Sequence, residues 1–311
     1  MKIVKAVAPY IHPEELNFKT APYNAWVKLG GQTANAHYPQ RLLHGLAFRY
    51  EMPTILKNSK EARLRFVEPV SLSFDTFPDY ARYEIIPFVW DCWPRYFEKM
   101  CHWMKKHQVR TAIFTSSQTA ERMRQQFPKM NIMYCPEAVD SSCYNHEKSL
   151  KERNIDLLEF GRGSGINFNE NTNKKFRYVC TKVNGKFTYT NEQLYEAMGD
   201  AKVTIALPRS ITQPEIAGDI ETLTQRYWEC MLSRIVMVGH APKELVDLIG
   251  YNPVIEIDTK DAMRRILDIL AHIENYQDLA DRNREMALNL GDWTSRIRSV
   301  MDWLREYDFE I

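Results

Sequence analysis

The chain has 311 residues, of which 44% are hydrophobic and 26% are charged, and 41 basic against 40 acidic side chains leave a net charge of +1. This length allows two domains of roughly 150 residues, each with its own core. The near-zero charge argues against bulk binding of nucleic acid. No run approaches the ~20 apolar residues of a membrane-spanning helix. Six widely spaced cysteines indicate reduced thiols in a cytoplasmic protein.

The first half of the chain alternates predicted strands with helices. Strands are predicted over 2–9, 83–90, 110–115 and 131–135, and helices over 38–50, 93–107 and 119–126. This alternation predicts a parallel sheet with right-handed crossovers. Gly30 and Gly31 precede the first of these helices, so their N–H groups could approach an anion; a flexible turn is the alternative. Asp91 follows a buried strand, either as a site residue or as a helix N-cap.

A second α/β series follows a polar segment over 141–153, which is predicted to link two domains. Its strands are predicted over 155–160, 177–180, 202–207 and 254–257, and its later helices over 191–198, 261–272, 276–289 and 293–307. The glycines after its first strand do not form G-x-G-x-x-G, which makes a dinucleotide site a weak interpretation.

Two carboxylates stand out in the stretch 218–239. Glu221 lies at the predicted start of a helix, and Glu229 follows eight residues later. At about 100° per residue the two side chains would lie roughly 80° apart, within one broad face. Both could therefore contact one ligand, since a carboxylate accepts two hydroxyl hydrogen bonds and a ribose diol presents such a pair. The alternative is an ordinary amphipathic helix with two solvated acids.

The order of VTIALPRS, Glu221, Glu229 and IVMVG resembles the Glu-x7-Glu signature of retaining nucleotide-sugar glycosyltransferases with the GT-B fold. The resemblance implies an α/β protein with two Rossmann-like domains, over 1–145 and 146–290, and a cleft between them. A C-terminal helix over 291–311 would pack back towards the first domain. The implied reaction moves a sugar from a nucleoside-diphosphate donor to a glycan or lipid-linked acceptor, with retention, as in cell-surface polysaccharide synthesis.

The resemblance also assigns roles to single residues. Glu221 would meet the transferred sugar, while Arg162 and Lys175 would carry the charge of the departing diphosphate. The other donor-binding residues would be Glu229 on the ribose, Arg209, Ser210, Thr222, Thr224 and Gly163. The acceptor side would include Gly30, Gly31 and Asp91. The sequence has no DxD motif, so neither a metal nor another cofactor is expected.

Some alternatives remain open from the sequence. The helix over 93–107 is basic and aromatic, which allows peripheral contact with the inner face of a membrane as well as an ordinary core role. A sugar-nucleotide epimerase of the same fold would need no acceptor. A non-catalytic subunit that only binds a sugar nucleotide would keep Glu229 without a working Glu221. The expected partners are a nucleotide-sugar donor and an acceptor, with no nucleic acid.

Overall fold

A computed structural model describes residues 1–9, 19–35, 45–46, 49–50, 53, 58, 60–144, 147–161, 163–164, 166, 176–183, 186–258 and 261–311. The chain divides into two compact units. The N-terminal unit contains Met1–Glu137, Glu215–Ile220 and Trp293–Ile311, and the C-terminal unit contains Ala138–Pro214 and Glu221–Asp292. The first division thus falls a few residues before the predicted boundary at 145.

The N-terminal unit is built on a parallel sheet. Its described strands are β1 (Lys2–Val7), β2 (Thr33–Ala34), β3 (Glu61–Val67), β4 (Glu84–Val89), β5 (Thr111–Phe114), β6 (Asn131–Tyr134) and β14 (Phe309–Glu310). They run in the order β14-β1-β3-β4-β5-β6, with β2 also paired to β1. Every residue of β4 is buried, as expected for a strand with both faces covered. The C-terminal β14 continues the sheet and was not predicted.

The main helices of this unit are α1 (Thr20–Lys28), α2 (Leu72–Thr76), α3 (Pro94–Lys106), α4 (Ser117–Gln126) and α12 (Trp293–Glu306). Local sequence explains several of the starts. Pro94 occupies the first turn of α3, where the missing N–H costs nothing. The Ser116 hydroxyl accepts from the Thr119 N–H and caps α4. Helix α12 buries Ile297, Val300 and Leu304 in the core of the N-terminal unit.

The C-terminal unit holds a second parallel sheet. Its strands are β7 (Ile155–Glu159), β8 (Tyr178–Cys180), β11 (Ala201–Ala206), β12 (Val236–Gly239) and β13 (Val254–Glu256), with a separate antiparallel hairpin of β9 (Lys182–Val183) and β10 (Lys186–Phe187). The helices are α5 (Asn191–Gly199), α6 (Arg209–Thr212), α7 (Pro214–Ala217), which ends in the N-terminal unit, α8 (Gln225–Leu232), α9 (Lys243–Ile249), α10 (Ala262–Ala271) and α11 (Gln277–Leu290). Two parallel sheets confirm the predicted pair of Rossmann-like domains.

The strand order of the second sheet marks where a ligand would bind. The order is β13-β12-β11-β7-β8, so the chain leaves β7 for β8 on one side and returns to β11 on the other. In open α/β sheets, ligands bind at the carboxyl ends of the strands at such a reversal. The relevant edge therefore lies where β7 and β11 end. No helix in the described ranges is long and apolar enough to cross a membrane.

Candidate functional site

The turn after β7 is fixed by the buried carboxylate of Glu159. The Ser164 backbone N–H and hydroxyl donate to Glu159 Oε1 over 2.6 and 2.8 Å, and the Tyr178 hydroxyl donates to Oε2 over 2.6 Å. Burial and this donation to Glu159 raise the pKa of Tyr178 well above its usual value, so the phenol keeps its proton. Gly163 lies in this fixed turn. Arg162 and Lys175 lie outside the described residues, and their roles stay predictions.

Glu221 does not begin the helix that carries Glu229. Helix α8 starts at Gln225, and Thr224 before it is extended, with φ −91° and ψ 162°. The Leu223 N–H donates to Glu244 Oε2 over 2.9 Å, which ties this extended segment to α9. Threonines favour extended backbone because their β-branched side chains are stiff. The prediction of two carboxylates on one helical face is therefore wrong, and each carboxylate comes from its own backbone segment.

Glu229 lies on α8 and is held by a buried tyrosine. The Tyr144 hydroxyl donates to Glu229 Oε1 over 3.0 Å, and the Arg284 guanidinium donates to the Tyr144 carbonyl over 2.8 Å. Burial raises the pKa of Glu229, although Tyr144 and Arg226 act in the opposite direction. A carboxylate in this setting gains from further hydroxyl donors, which a bound diol can supply. This geometry favours a ligand-binding role over a solvated surface acid.

Glu221 is joined to a second carboxylate through His240, a residue that sequence reasoning did not single out. His240 Nε2 lies 3.4 Å from Glu221 Oε2, and Nδ1 lies 3.0 Å from Glu256 Oε2. Partial burial lowers the pKa of His240, but Glu256 and Glu221 outweigh it and the net shift is upward. The ring can thus orient Glu221. A histidine directly after the glycine that ends a strand was the available signal.

The remaining predicted donor-binding residues lie between the end of β11 and the start of α8. Arg209 starts α6 directly after Pro208, and its Nε donates to Gln213 Oε1 over 2.9 Å. The Ser210 hydroxyl is buried and has no hydrogen-bond partner among the described residues. Thr222 is buried, while Thr224 is partly exposed at the N-cap of α8. Their contacts with a donor stay predictions.

Arg226, in the first turn of α8, is a second residue that the sequence reasoning missed. Its guanidinium lies against Gly161, which follows β7 and has a φ of +70°. The cation therefore lies at the carboxyl end of β7, beside the reversal in strand order. An arginine three residues before a candidate ribose-binding glutamate was the only sign of it in the sequence.

The predicted acceptor-side residues lie in the N-terminal unit, and the structural reasons given for two of them are wrong. Gly30 and Gly31 directly follow α1. Their N–H groups donate to the Val27 and Trp26 carbonyls, both over 3.0 Å, and so close the helix instead of facing an anion. The predicted helix over 38–50 lies mostly outside the described residues. A role for either glycine on the acceptor side stays a prediction.

Asp91 does not cap the helix that follows it. Helix α3 begins at Pro94, and its N-cap is Trp93, with φ −76° and ψ 154°. Proline disfavours helical backbone in the residue before it, which displaces the N-cap position from Asp91 to Trp93. Asp91 itself adopts a left-handed φ of +49°. The N-cap alternative is therefore wrong, and the acceptor-side role of Asp91 stays a prediction.

The described part of the chain contains neither a metal cluster nor a disulfide. It contains no group of three or more histidine, cysteine, aspartate or glutamate residues that could hold a metal ion. The six cysteines are unpaired. Burial raises the pKa of Cys135 to about 12, which leaves it a neutral thiol near neutral pH.

No protein-family model matches the chain, and no curated protein matches its sequence. Solved structures do match its fold. Anabaena HepE in complex with UDP and glucose aligns with a TM-score of 0.60 and 8% identity, over 98% of this chain and 100% of that one. AviGT4, a glycosyltransferase involved in avilamycin A biosynthesis, aligns with a TM-score of 0.53 and 12% identity, over 99% and 98%.

TarM aligns with a TM-score of 0.55 and 11% identity over 84% of this chain, which spans 58% of the TarM chain. The three structures share with this chain an arrangement and not a sequence, because the identities are at most 12%. The chain therefore has the GT-B fold of two Rossmann-like domains, as its Glu-x7-Glu signature implied.

Proposed function

We propose that this chain is a glycosyltransferase that moves a sugar from a nucleoside-diphosphate donor to a glycan or lipid-linked acceptor, with retention and without a metal. The observation that carries the proposal is the set of charged side chains at the edge where β7 and β11 end. Glu221, Glu229, Arg209 and Arg226 are gathered at the helices and loops that follow these strands in the C-terminal unit. A donor with a diol, a diphosphate and a sugar matches carboxylates and cations in such an arrangement.

Each charged group takes one part of the donor. Glu229 accepts the two ribose hydroxyls, and the Tyr144 hydroxyl holds its carboxylate in place. Glu221 accepts from a sugar hydroxyl while His240 fixes its orientation. The acceptor oxygen forms its bond to the anomeric carbon on the face that the diphosphate leaves. The acceptor proton passes to the departing phosphate oxygen, so the diphosphate leaves with that proton.

Fixed cations stabilise the charge that develops on the diphosphate. Arg162 and Lys175 are the residues that the family resemblance assigns, and Arg209 follows β11 at the same edge. One preorganised donor in a site closed to water lowers a barrier by roughly 2.7–4 kcal/mol. Metal independence can be tested by assaying turnover in EDTA. Loss of activity that magnesium or manganese restores would contradict it.

The structural relatives suggest the first ligands and setting to test. HepE was solved with UDP and with UDP-glucose, so UDP donors are the first candidates for this chain as well.

We propose a cytoplasmic location, in keeping with six unpaired cysteines. Three basic side chains, Arg49, Lys99 and Lys106, are among the residues that line a cavity of about 330 Å³ in the N-terminal unit, and their charge is the reason for proposing contact with an anionic membrane surface.

Calorimetric titration with UDP, GDP, ADP and their sugars tests the proposal. We expect one diphosphate and its sugar to bind, and the sugar to be transferred when a glycan or lipid-linked acceptor is added. Turnover of the donor without any acceptor would instead indicate an epimerase or hydrolase. Binding without turnover across many acceptors would indicate a non-catalytic subunit. No binding of any nucleotide would contradict all three functions.

A further inference from the structure

Arg226 is placed at the carboxyl end of β7 by two contacts. A Cβ atom built on Gly161 would lie 2.2 Å from Arg226 Nη2 and 3.2 Å from Cζ, so the guanidinium occupies the space beside this glycine. Arg226 Cζ also lies 5.3 Å from the centre of the Phe160 ring, within the range of a cation–π interaction. Gly161 thus has two structural roles: it adopts a φ of +70°, and its lack of a side chain leaves room for the guanidinium.

This position combines several features that attract phosphate. Arg226 lies in the first turn of α8, where N–H groups and the helix dipole favour an anion. It also lies next to the strand reversal between β7 and β11. Glu229 is one turn further along the same helix, and in any nucleoside diphosphate the first phosphate is attached to the ribose. A guanidinium offers paired N–H donors that match phosphate oxygens.

We propose that Arg226, a cation carried by α8, binds the diphosphate of the donor. The inference rests on the proposed function and deepens it, because it assigns a phosphate ligand to a helix position. The competing explanation is that Arg226 only balances the charge of Glu229. If Arg226 only balances the charge of Glu229, its loss should also weaken binding of the nucleoside, because Glu229 is assigned to the ribose. If Arg226 binds phosphate, its loss should weaken only the ligands that carry phosphate.

The test measures affinity for three related ligands by calorimetry: the diphosphate that binds best among UDP, GDP and ADP, its monophosphate, and its nucleoside. For Arg226→Gln we expect diphosphate affinity to fall roughly 10- to 100-fold and nucleoside affinity to change less than about twofold. Arg226→Lys should fall in between, because lysine keeps the charge but loses the fork. Arg264→Gln is the matched control: it removes the same charge from a side chain that is 84% exposed.

Gly161→Ala gives a second route that keeps the charge. The new methyl group would displace the guanidinium, so we expect a smaller loss of diphosphate affinity with the nucleoside again unaffected. This variant decides the question if Arg226→Gln does not fold. Equal losses for nucleoside and diphosphate, or no loss for either, would overturn the inference. Failure of the unaltered protein to bind any of the three diphosphates would instead overturn the proposed function.

Discussion

The two units share one architecture but differ at the carboxyl ends of their strands. In the N-terminal unit, β4 leads into Trp90, which stacks on Phe88 at 4.5 Å between ring centres and lies 5.9 Å from the Trp293 ring. In the C-terminal unit, β12 leads into His240, which lies between the carboxylates of Glu221 and Glu256. The first edge is mainly packed by aromatic rings, with Asp91 directly after Trp90, and the second carries several titratable groups.

The two edges therefore differ in what they can do: one stabilises a core, and the other can bind a ligand. Stacked aromatic rings exclude water and stabilise a core, but they offer few hydrogen-bonding groups to a diphosphate. Carboxylates and guanidinium groups at strand ends lose part of their solvation when the chain folds. A charged or hydroxyl-rich ligand can replace the hydrogen bonds that were lost with water. We therefore expect substitutions at the edge of the C-terminal unit to change nucleotide affinity. Substitutions at the edge of the N-terminal unit should change stability and leave nucleotide affinity unaltered.

Gly239→Ala should cause the largest loss of folding stability, because the added methyl group would clash with the backbone at the edge that carries the charged groups. Gly239 has a φ of +143°, and an added Cβ would lie 2.0 Å from the Ala206 carbonyl oxygen. We expect a loss of about 3 kcal/mol or more, measured by urea unfolding. Gly250→Ala is the control, since its φ is +80° with no atom within 4 Å; it should cost about 1 kcal/mol. Equal losses would show that steric contact at Gly239 does not matter.

Glu159→Ala sharpens the comparison at the turn after β7. The change leaves the Ser164 N–H and the Tyr178 hydroxyl without their acceptor, and we expect a loss of about 2 kcal/mol in urea unfolding together with weaker nucleotide binding. Asp91→Ala is the matched change at the other edge, where it removes a carboxylate directly after Trp90. It should leave nucleotide affinity unchanged. Weaker nucleotide binding by Asp91→Ala would remove the distinction between the edges.

Glu229→Gln should stabilise the unliganded protein. Burial raises the pKa of Glu229 above its ordinary value of 4.5, so the folded state holds a proton that the unfolded state releases. The penalty is absent below pH 4.5, grows as the pH rises through the raised pKa, and is complete above it. Glutamine carries no such penalty. Thermal unfolding at pH 4 and pH 7 should show a gain of about 1 kcal/mol only at pH 7; a loss at pH 7 would contradict the buried-charge account.

His240→Gln should have the smallest effect on stability. The raised pKa of His240 means that its interaction with Glu256 and Glu221 is complete below the unfolded value of 6.5 and is lost as the pH rises through the folded pKa. The side chain is 36% exposed, so solvent limits the loss to less than about 1 kcal/mol. Urea unfolding at pH 5.5 and pH 9 should show a difference from the unaltered protein only at pH 5.5. A constant difference would indicate packing instead of charge.

Repeating hydrophobic patterns predicted most of the architecture. The buried strands and the amphipathic helices of the C-terminal unit lie within a few residues of their predicted bounds, because burial of an apolar face depends on local periodicity. The two-residue strand β14 was missed because its pairing with β1 depends on contacts between distant parts of the chain. The start of α8 was predicted too early because the extended segment is tied down by Glu244, which follows 21 residues after Leu223.

The candidate site was less predictable than the fold. The spacing of Glu221 and Glu229 drew attention to both carboxylates, but the single helical face that it predicted for them is wrong. The partners of Tyr144 and His240 could not be assigned from sequence, because only the folded chain brings them near. Arg226 was overlooked because a single arginine in an amphipathic helix resembles any solvated side chain, and only its contact with Gly161 distinguishes it.

The most direct test of the account is calorimetry on Glu229→Gln and Glu221→Gln, with the nucleoside diphosphate alone and with its sugar. Glu229→Gln should lower affinity for the bare diphosphate by about 1.5–3 kcal/mol, because it weakens charge-assisted bonds to the ribose. Glu221→Gln should leave that affinity nearly unchanged and depress turnover of the full donor. Negligible effects from both substitutions would contradict the account and leave the two glutamates without a role in donor binding.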